Sequence, residues 1–225
     1  MAIEVQEIAT SVRLLLNDVG ADRWDDSQLL NWIYEGHIQI LNDAPDLCKV
    51  RGVVATAAGA VQTLPANIHT LLYVYGICSA GGVVSSILTE VRDTDLFIEN
   101  PTWMSGAAAT PVHWAHSSAN TGAYYLYPFS AGTGYILADY AEQPTLGTDI
   151  ATDTLDMFDV TLLPAFVDYV LYRAFGIDGD NIENLALSKE YLTSYVAKLR
   201  GVSDSDASLR APRPAHTING GGNNK

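Results

Sequence analysis

The chain has 225 residues, 48% of them hydrophobic and 17% charged, and a formal net charge of −14. That is ample material for a core and argues against disorder along the whole chain. An acidic surface repels phosphate, which disfavours gripping nucleic acid but is compatible with lining a path for DNA.

No run approaches the ~18 uninterrupted apolar residues that a membrane span needs, so no contact with a membrane is expected. The start, "MAIEVQEIATSVRLLLND", lacks the basic n-region and compact apolar h-region of a signal peptide, so synthesis in a host cytoplasm is expected. The charge is uneven. Residues 1–200 sum to −15 and residues 201–225 to +1, a mildly basic tail on an acidic body.

In chain order, Ile8, Val12, Leu15 and Leu16 recur at spacings of three and four and predict a helix over 5–17, with Gly20 as its stop. A second helix follows in "RWDDSQLLNWIYEGHIQIL". Asp25 is its cap and Gln28 completes a capping-box pattern, while Trp24 is placed to staple onto Leu29. Gly36 costs about 1 kcal/mol inside a helix, which implies that something packs close to it.

After "DAPDL" the hydrophobic period changes from 3.6 to 2. "CKVRGVVATA", "AVQTLP", "HTLLYVYGICS" and "GGVVSSILTEV" read as strands, "RDTDLFIENPTW" as a short helix ended by Pro101, and "PVHWAHS", "GAYYLYPFS" and "TGYILADYAEQP" as three more strands. Gly132 and Gly134 suit a tight hairpin between the last two. The period then returns to 3.6 in two helices. The first carries Leu163, Phe166, Val167, Val170 and Ala174, with Pro164 tolerable only near its start. The second carries Leu185, Leu192, Val196 and Leu199, with Asp180 as a cap and Gly201 as its stop. The expected class is α+β: residues 1–45 and 151–201 form a helical bundle, 46–150 an inserted antiparallel β domain, and 202–225 an extended or disordered C-terminal arm.

Candidate chemistry is sparse. "DGDNIENLALSK" fails as a calcium loop, because its sixth position is Glu183 and its twelfth Lys189. His113 and His116 are three apart on a strand and face opposite sides, so they do not converge on a metal. His37 lies on an apolar stripe and reads as a core or interface histidine. Cys48 and Cys78, each in a strand-like apolar run, read as buried free thiols, with a disulfide open to them if they face each other on adjacent strands. No nucleophile elbow, P-loop, dinucleotide fingerprint, zinc-protease helix or C-x-x-C is present. The reading is therefore no enzyme, with no catalytic residue, metal or cofactor.

Six segments in order resemble the head-to-tail adaptor (connector, or head-completion) proteins of tailed bacteriophages: "RLLLND", "RWDDSQLLNWIYEGHIQIL", "QTLPANIHTLLYVYGI", "RDTDLFIENPTWMSG", "PVHWAHS" with "YYLYPF", and "FVDYVLYRAFGIDGDNIENLALSKEYLTSYVAKL". The likeness spans about residues 8–200, with Gly176 and Gly179 departing from the family's last helical turn. The resemblance implies a structural virion protein at the capsid–tail junction. It implies a homo-oligomeric ring, twelve copies beneath the twelve-fold portal, with the portal protein and a tail or nozzle protein as partners. DNA would pass its lumen without specific binding. It also implies a C-terminal arm that docks on the portal or a neighbouring subunit, for which Leu209, Arg210, Pro212, Arg213, Pro214 and Ile218 are the candidate contacts. The competing readings are a tail tubular or tail-terminator protein and a virion ligand-binding module.

Overall fold

The computed structural model describes residues 2–105, 108–130, 132–145, 147–177 and 182–210, with the side chains of 205–210 excepted. The architecture is mixed α+β, with helices α1 (Val5–Leu15), α2 (Asp26–Asp43), α3 (Asp93–Glu99), α4 (Leu163–Ile177) and α5 (Ile182–Arg210). Ten strands run β1 (Ile3–Glu4), β2 (Lys49–Thr56), β3 (Gly59–Thr63), β4 (Ile68–Cys78), β5 (Val84–Ile87), β6 (Thr89–Glu90), β7 (His113–His116), β8 (Ala123–Ser130), β9 (Gly134–Glu142) and β10 (Thr154–Leu155).

Helix starts and stops follow local chemistry. Asp25 caps α2 by accepting the Gln28 N–H at 2.7 Å. Trp24 sets its ring edge-on to Trp32 at 5.2 Å. Pro164 is the second residue of α4, where its missing N–H leaves no intrahelical bond unmade. α1 ends two residues earlier than its pattern predicts, and Gly20 is not its stop. Asn17 takes the left-handed conformation instead, with φ +54°. The N–H of Asn17 reaches the Leu14 carbonyl and that of Asp18 the Arg13 carbonyl, the two bonds of a Schellman cap. Asparagine tolerates that region better than most residues with a Cβ.

One apolar core draws on α1, α2, α4 and α5: Ile8 and Val12, Leu29, Ile33 and Ile40, Phe166 and Val170, and Tyr195 and Leu199 are all buried in it. Helix α4 is its centre and buries eight of its 15 residues. The stretch Val160–Ile177 is long and apolar enough to cross a membrane by composition, but half of it is buried inside the fold, as the central helix of a core requires. Gly36 is where α2 comes closest to α4. A Cβ built there would lie 2.9 Å from Tyr169 Cδ1.

Helix α5 corrects two expectations. It does not stop at Gly201 but continues to Arg210, so residues 202–210 are helical rather than extended. One glycine costs a helix only about 1 kcal/mol, and beyond it Val202 still packs on the core. Its inward line is Ser188, Tyr191, Tyr195, Leu199 and Val202. Leu185 and Leu192, expected inside, are 42% and 37% exposed. Asp180 lies outside the described residues.

The β segment is two four-stranded sheets, ordered β2-β9-β4-β5 and β3-β8-β7-β6, packed around Val54, Leu71, Val74, Trp114, Tyr124, Leu126, Ile136 and Tyr140. Every pair in the first sheet is antiparallel. The second departs from the antiparallel expectation at one place: β6 lies parallel to β7, a pairing that needs a crossover, which α3 supplies. α3 and the turn after it cover the outer face of that sheet through Leu96 and Trp103. The expected β8–β9 hairpin does not form. These strands belong to different sheets, and β9 instead inserts between β2 and β4. β1 pairs with β10, tying the first residues to the segment before α4.

Candidate assembly surfaces

The predicted arm contacts begin on α5. Leu209 and Arg210 are its last two residues, while Pro212, Arg213, Pro214 and Ile218 lie outside the described residues. From Val202 the helix runs on roughly 12 Å to Arg210, at 1.5 Å per residue. The structure therefore hands the basic tail over from a helix rather than from a loop.

Five cations of the body, Arg13, Lys49, Arg51, Arg173 and Lys198, stand beside acids. No Lys or Arg occurs between Arg92 and Arg173. Arg13 bonds Asp26 at 2.5 Å and lies 3.4 Å from Asp18. Arg173 meets Glu35 at 3.1 Å, and Lys198 meets Asp168 at 2.5 Å. On the first sheet, Arg51 grips Asp139 through two bonds of 2.8 and 3.1 Å, Tyr75 donates to the same carboxylate at 2.7 Å, and Lys49 stands 3.7 Å away. Burial raises the Asp139 pKa, but the bonds from Arg51 and Tyr75 and the charges of Arg51 and Lys49 outweigh it and hold the group below the usual carboxylate range. The pairs consume cations that a phosphate-binding surface would have to present.

The histidines and cysteines are built into packing. Cys48 and Cys78 are buried free thiols, and burial pushes the Cys48 thiol up to about 12, far from a reactive thiolate. His113 stacks on Tyr127 and His116 sits edge-on to Trp114 at 4.8 Å. Among the described residues, no three His, Cys, Asp or Glu side chains gather as a metal site would require. His37 is 5% exposed, edge-on to Phe158 at 4.6 Å, and lines a cleft of about 260 Å³ between α2 and residues 145, 147, 148 and 153–155.

Burial lowers the His37 pKa from 6.5 to about 4. The unfolded chain therefore takes up this proton first. The stability His37 carries is complete above about pH 6.5 and is lost as the pH falls toward 4. Between about pH 7.5 and pH 5 the loss is about 2 kcal/mol. His37→Leu is expected to flatten the urea-unfolding midpoint over that interval relative to the native chain. Equal pH slopes for the two proteins would contradict it.

Several apolar side chains are left uncovered, two groups of them close together in sequence. Leu14, Leu15 and Val19 are exposed around the end of α1, and Val83, Val84 and Ile87 are exposed on and beside β5. Strand β5 is an edge strand, as is β2 on the far side of the same sheet. Sequence periodicity missed these surfaces, because it marks apolar residues without saying which ones find a partner.

Comparison with known protein families gives a match over nearly the whole chain. The family model described as SU10 adaptor protein matches residues 3–216. No curated protein matches the chain.

Proposed function

The chain belongs to the SU10 adaptor protein family, a family of structural phage adaptors that places it in the virion among other phage structural proteins, and on that premise we propose that it forms a ring beneath the portal vertex. In this reading twelve copies join capsid to tail and line the path by which DNA leaves. The observation that carries it is the extent of the family match, residues 3–216, which takes in the helical core, both sheets and the whole of α5. The net charge of −14 and the pairing of Arg13, Lys49, Arg51, Arg173 and Lys198 with acids support the lumen role: such a surface has little to hold DNA phosphates with. The proposed division is a helical bundle, 1–45 with 151–201, an inserted β domain, 46–150, and a C-terminal arm, 202–225, of which residues 202–210 continue α5.

The arm is the proposed grip on the portal or on the neighbouring subunit, through Leu209, Arg210, Pro212, Arg213, Pro214 and Ile218. Native mass spectrometry of the full chain mixed with the portal ring of the same genome tests this. The expected result is saturation at about one copy per portal subunit, with a chain ending at Arg210 binding at least about tenfold more weakly, a loss of roughly 1.4 kcal/mol. Undiminished binding by the shortened chain would remove the arm from the contact. A full chain that ignores the portal and binds a tail protein would transfer the assignment to a tail tubular or tail-terminator role.

A further inference from the structure

The first sheet has two open edges of matched polarity. Its order is β2-β9-β4-β5, and each neighbouring pair is antiparallel. The strands thus alternate in direction, and because there are four of them, β2 and β5 point opposite ways. Each edge presents a row of outward N–H and C=O groups, and among the described residues neither β2 nor β5 makes a backbone bond to a further strand. If a second copy is set beside the first in the same orientation, its β2 meets β5 antiparallel, so the alternation continues unbroken across the junction.

The chemistry of the two edges also fits. Strand β5, "VSSI", has no charge and no proline, and Val83 and Ile87 beside and within it are 72% and 78% exposed. Open edges are ordinarily guarded by charge, proline or cover, and β5 has only its shortness. In a chain of net charge −14, most approaches between two copies bring acid against acid. Strand β2 carries no acid; its only charged residues are Lys49 and Arg51, near its start. Joining β5 to β2 therefore brings a neutral strand to one that is free of acids. Gly76 draws β5 tightly onto β4, since a Cβ there would lie 2.2 Å from the Ser86 carbonyl oxygen, and this holds the outer edge in place.

We propose that β5 of one copy adds to β2 of the next, so that the first sheets of successive copies form one continuous antiparallel sheet around the assembly. The contact is head-to-tail, the kind that closes into a ring when the rotation between copies permits. The inference rests on the ring reading and names the surface that builds the ring.

Two measurements on the full chain test it, alone and on the portal ring. Val83→Lys with Ile87→Lys puts two cations on the β5 edge, toward a strand whose only charges are the cations Lys49 and Arg51, at positions already in solvent, so folding is expected to be unaffected. Self-association, read by analytical ultracentrifugation or as copies per portal, is expected to fall at least about tenfold. In the second measurement, Ser85→Cys and Val53→Cys proteins are treated with a short bis-maleimide, separately and mixed, with the native chain as control for buried Cys48 and Cys78. Covalent dimers are expected from the mixture and not from either protein alone. Dimers from Ser85→Cys alone at the same yield would mean a two-fold β5–β5 contact and overturn the proposal. So would normal assembly of the double-lysine protein. A native chain that never self-associates, even on the portal, would instead remove the ring reading itself.

Discussion

Phe166→Ala is expected to lower the folding free energy by about 3–5 kcal/mol, the range for deleting a large aromatic from a packed core. Phe166 is fully buried at the centre of α4. Its ring meets Phe158 edge-on at 5.1 Å, and its Cδ1 lies 3.5 Å from where a Cβ on Gly36 would stand. Helix α2 approaches α4 closely at that glycine, and with both backbones held at that approach the cavity cannot collapse easily. For a domain of this size, the thermal midpoint should fall by roughly 6–20 °C. Calorimetry of the native and variant chains measures it. A shift under about 1 kcal/mol would mean that α2 and α4 are not joined through this side chain.

The second large effect is expected at Trp114. Trp114→Ala should also cost about 3–5 kcal/mol, but through the other core. Trp114 is fully buried on β7. It faces Tyr73 of β4, in the opposite sheet, edge-on at 5.8 Å, and is flanked by His116 at 4.8 Å. It is therefore one of the side chains by which the two sheets hold each other. Strand β9 links this core to the helical one: Ile136, Ala138 and Tyr140 face the sandwich, while Ala141 lies in the helical core. Because one strand serves both, loss at Trp114 is expected to lower a single unfolding transition rather than melt the sheets separately. Chemical denaturation followed by far-ultraviolet circular dichroism and by tryptophan fluorescence tests this, and two well-separated transitions in the variant would refute the shared strand as the link.

The same residues show how far the sequence reaches. Asp25 with Gln28, Pro164 near a helix start, the close approach at Gly36, and the switches of period near residues 46 and 150 are statements about neighbours within about one or two turns of chain, and local chemistry enforces them. They determined the α+β class, the position of every long helix and most of the strands. The six ordered motifs, which resemble an adaptor family, agree with the family match over residues 3–216.

Tertiary structure decided the partners. Nothing local tells β9 to leave β8 and enter the other sheet between β2 and β4, because strand pairing depends on which distant strand offers an apolar face and a free edge. Nothing local ranks Tyr195 above Leu192 as the inward residue of α5, since both fit a period of 3.6, and only the position of Tyr169, 5.4 Å from the Tyr195 ring, settles it. Gly201 reads as a stop because a glycine weakens a helix, yet Leu199 and Val202 on either side of it pack on the core and carry the helix through. The grip of Arg51 on Asp139 joins residues 88 positions apart. Periodicity within the chain fixed what each segment is, whereas packing between segments far apart in sequence fixed what each one touches, and which edges it leaves open.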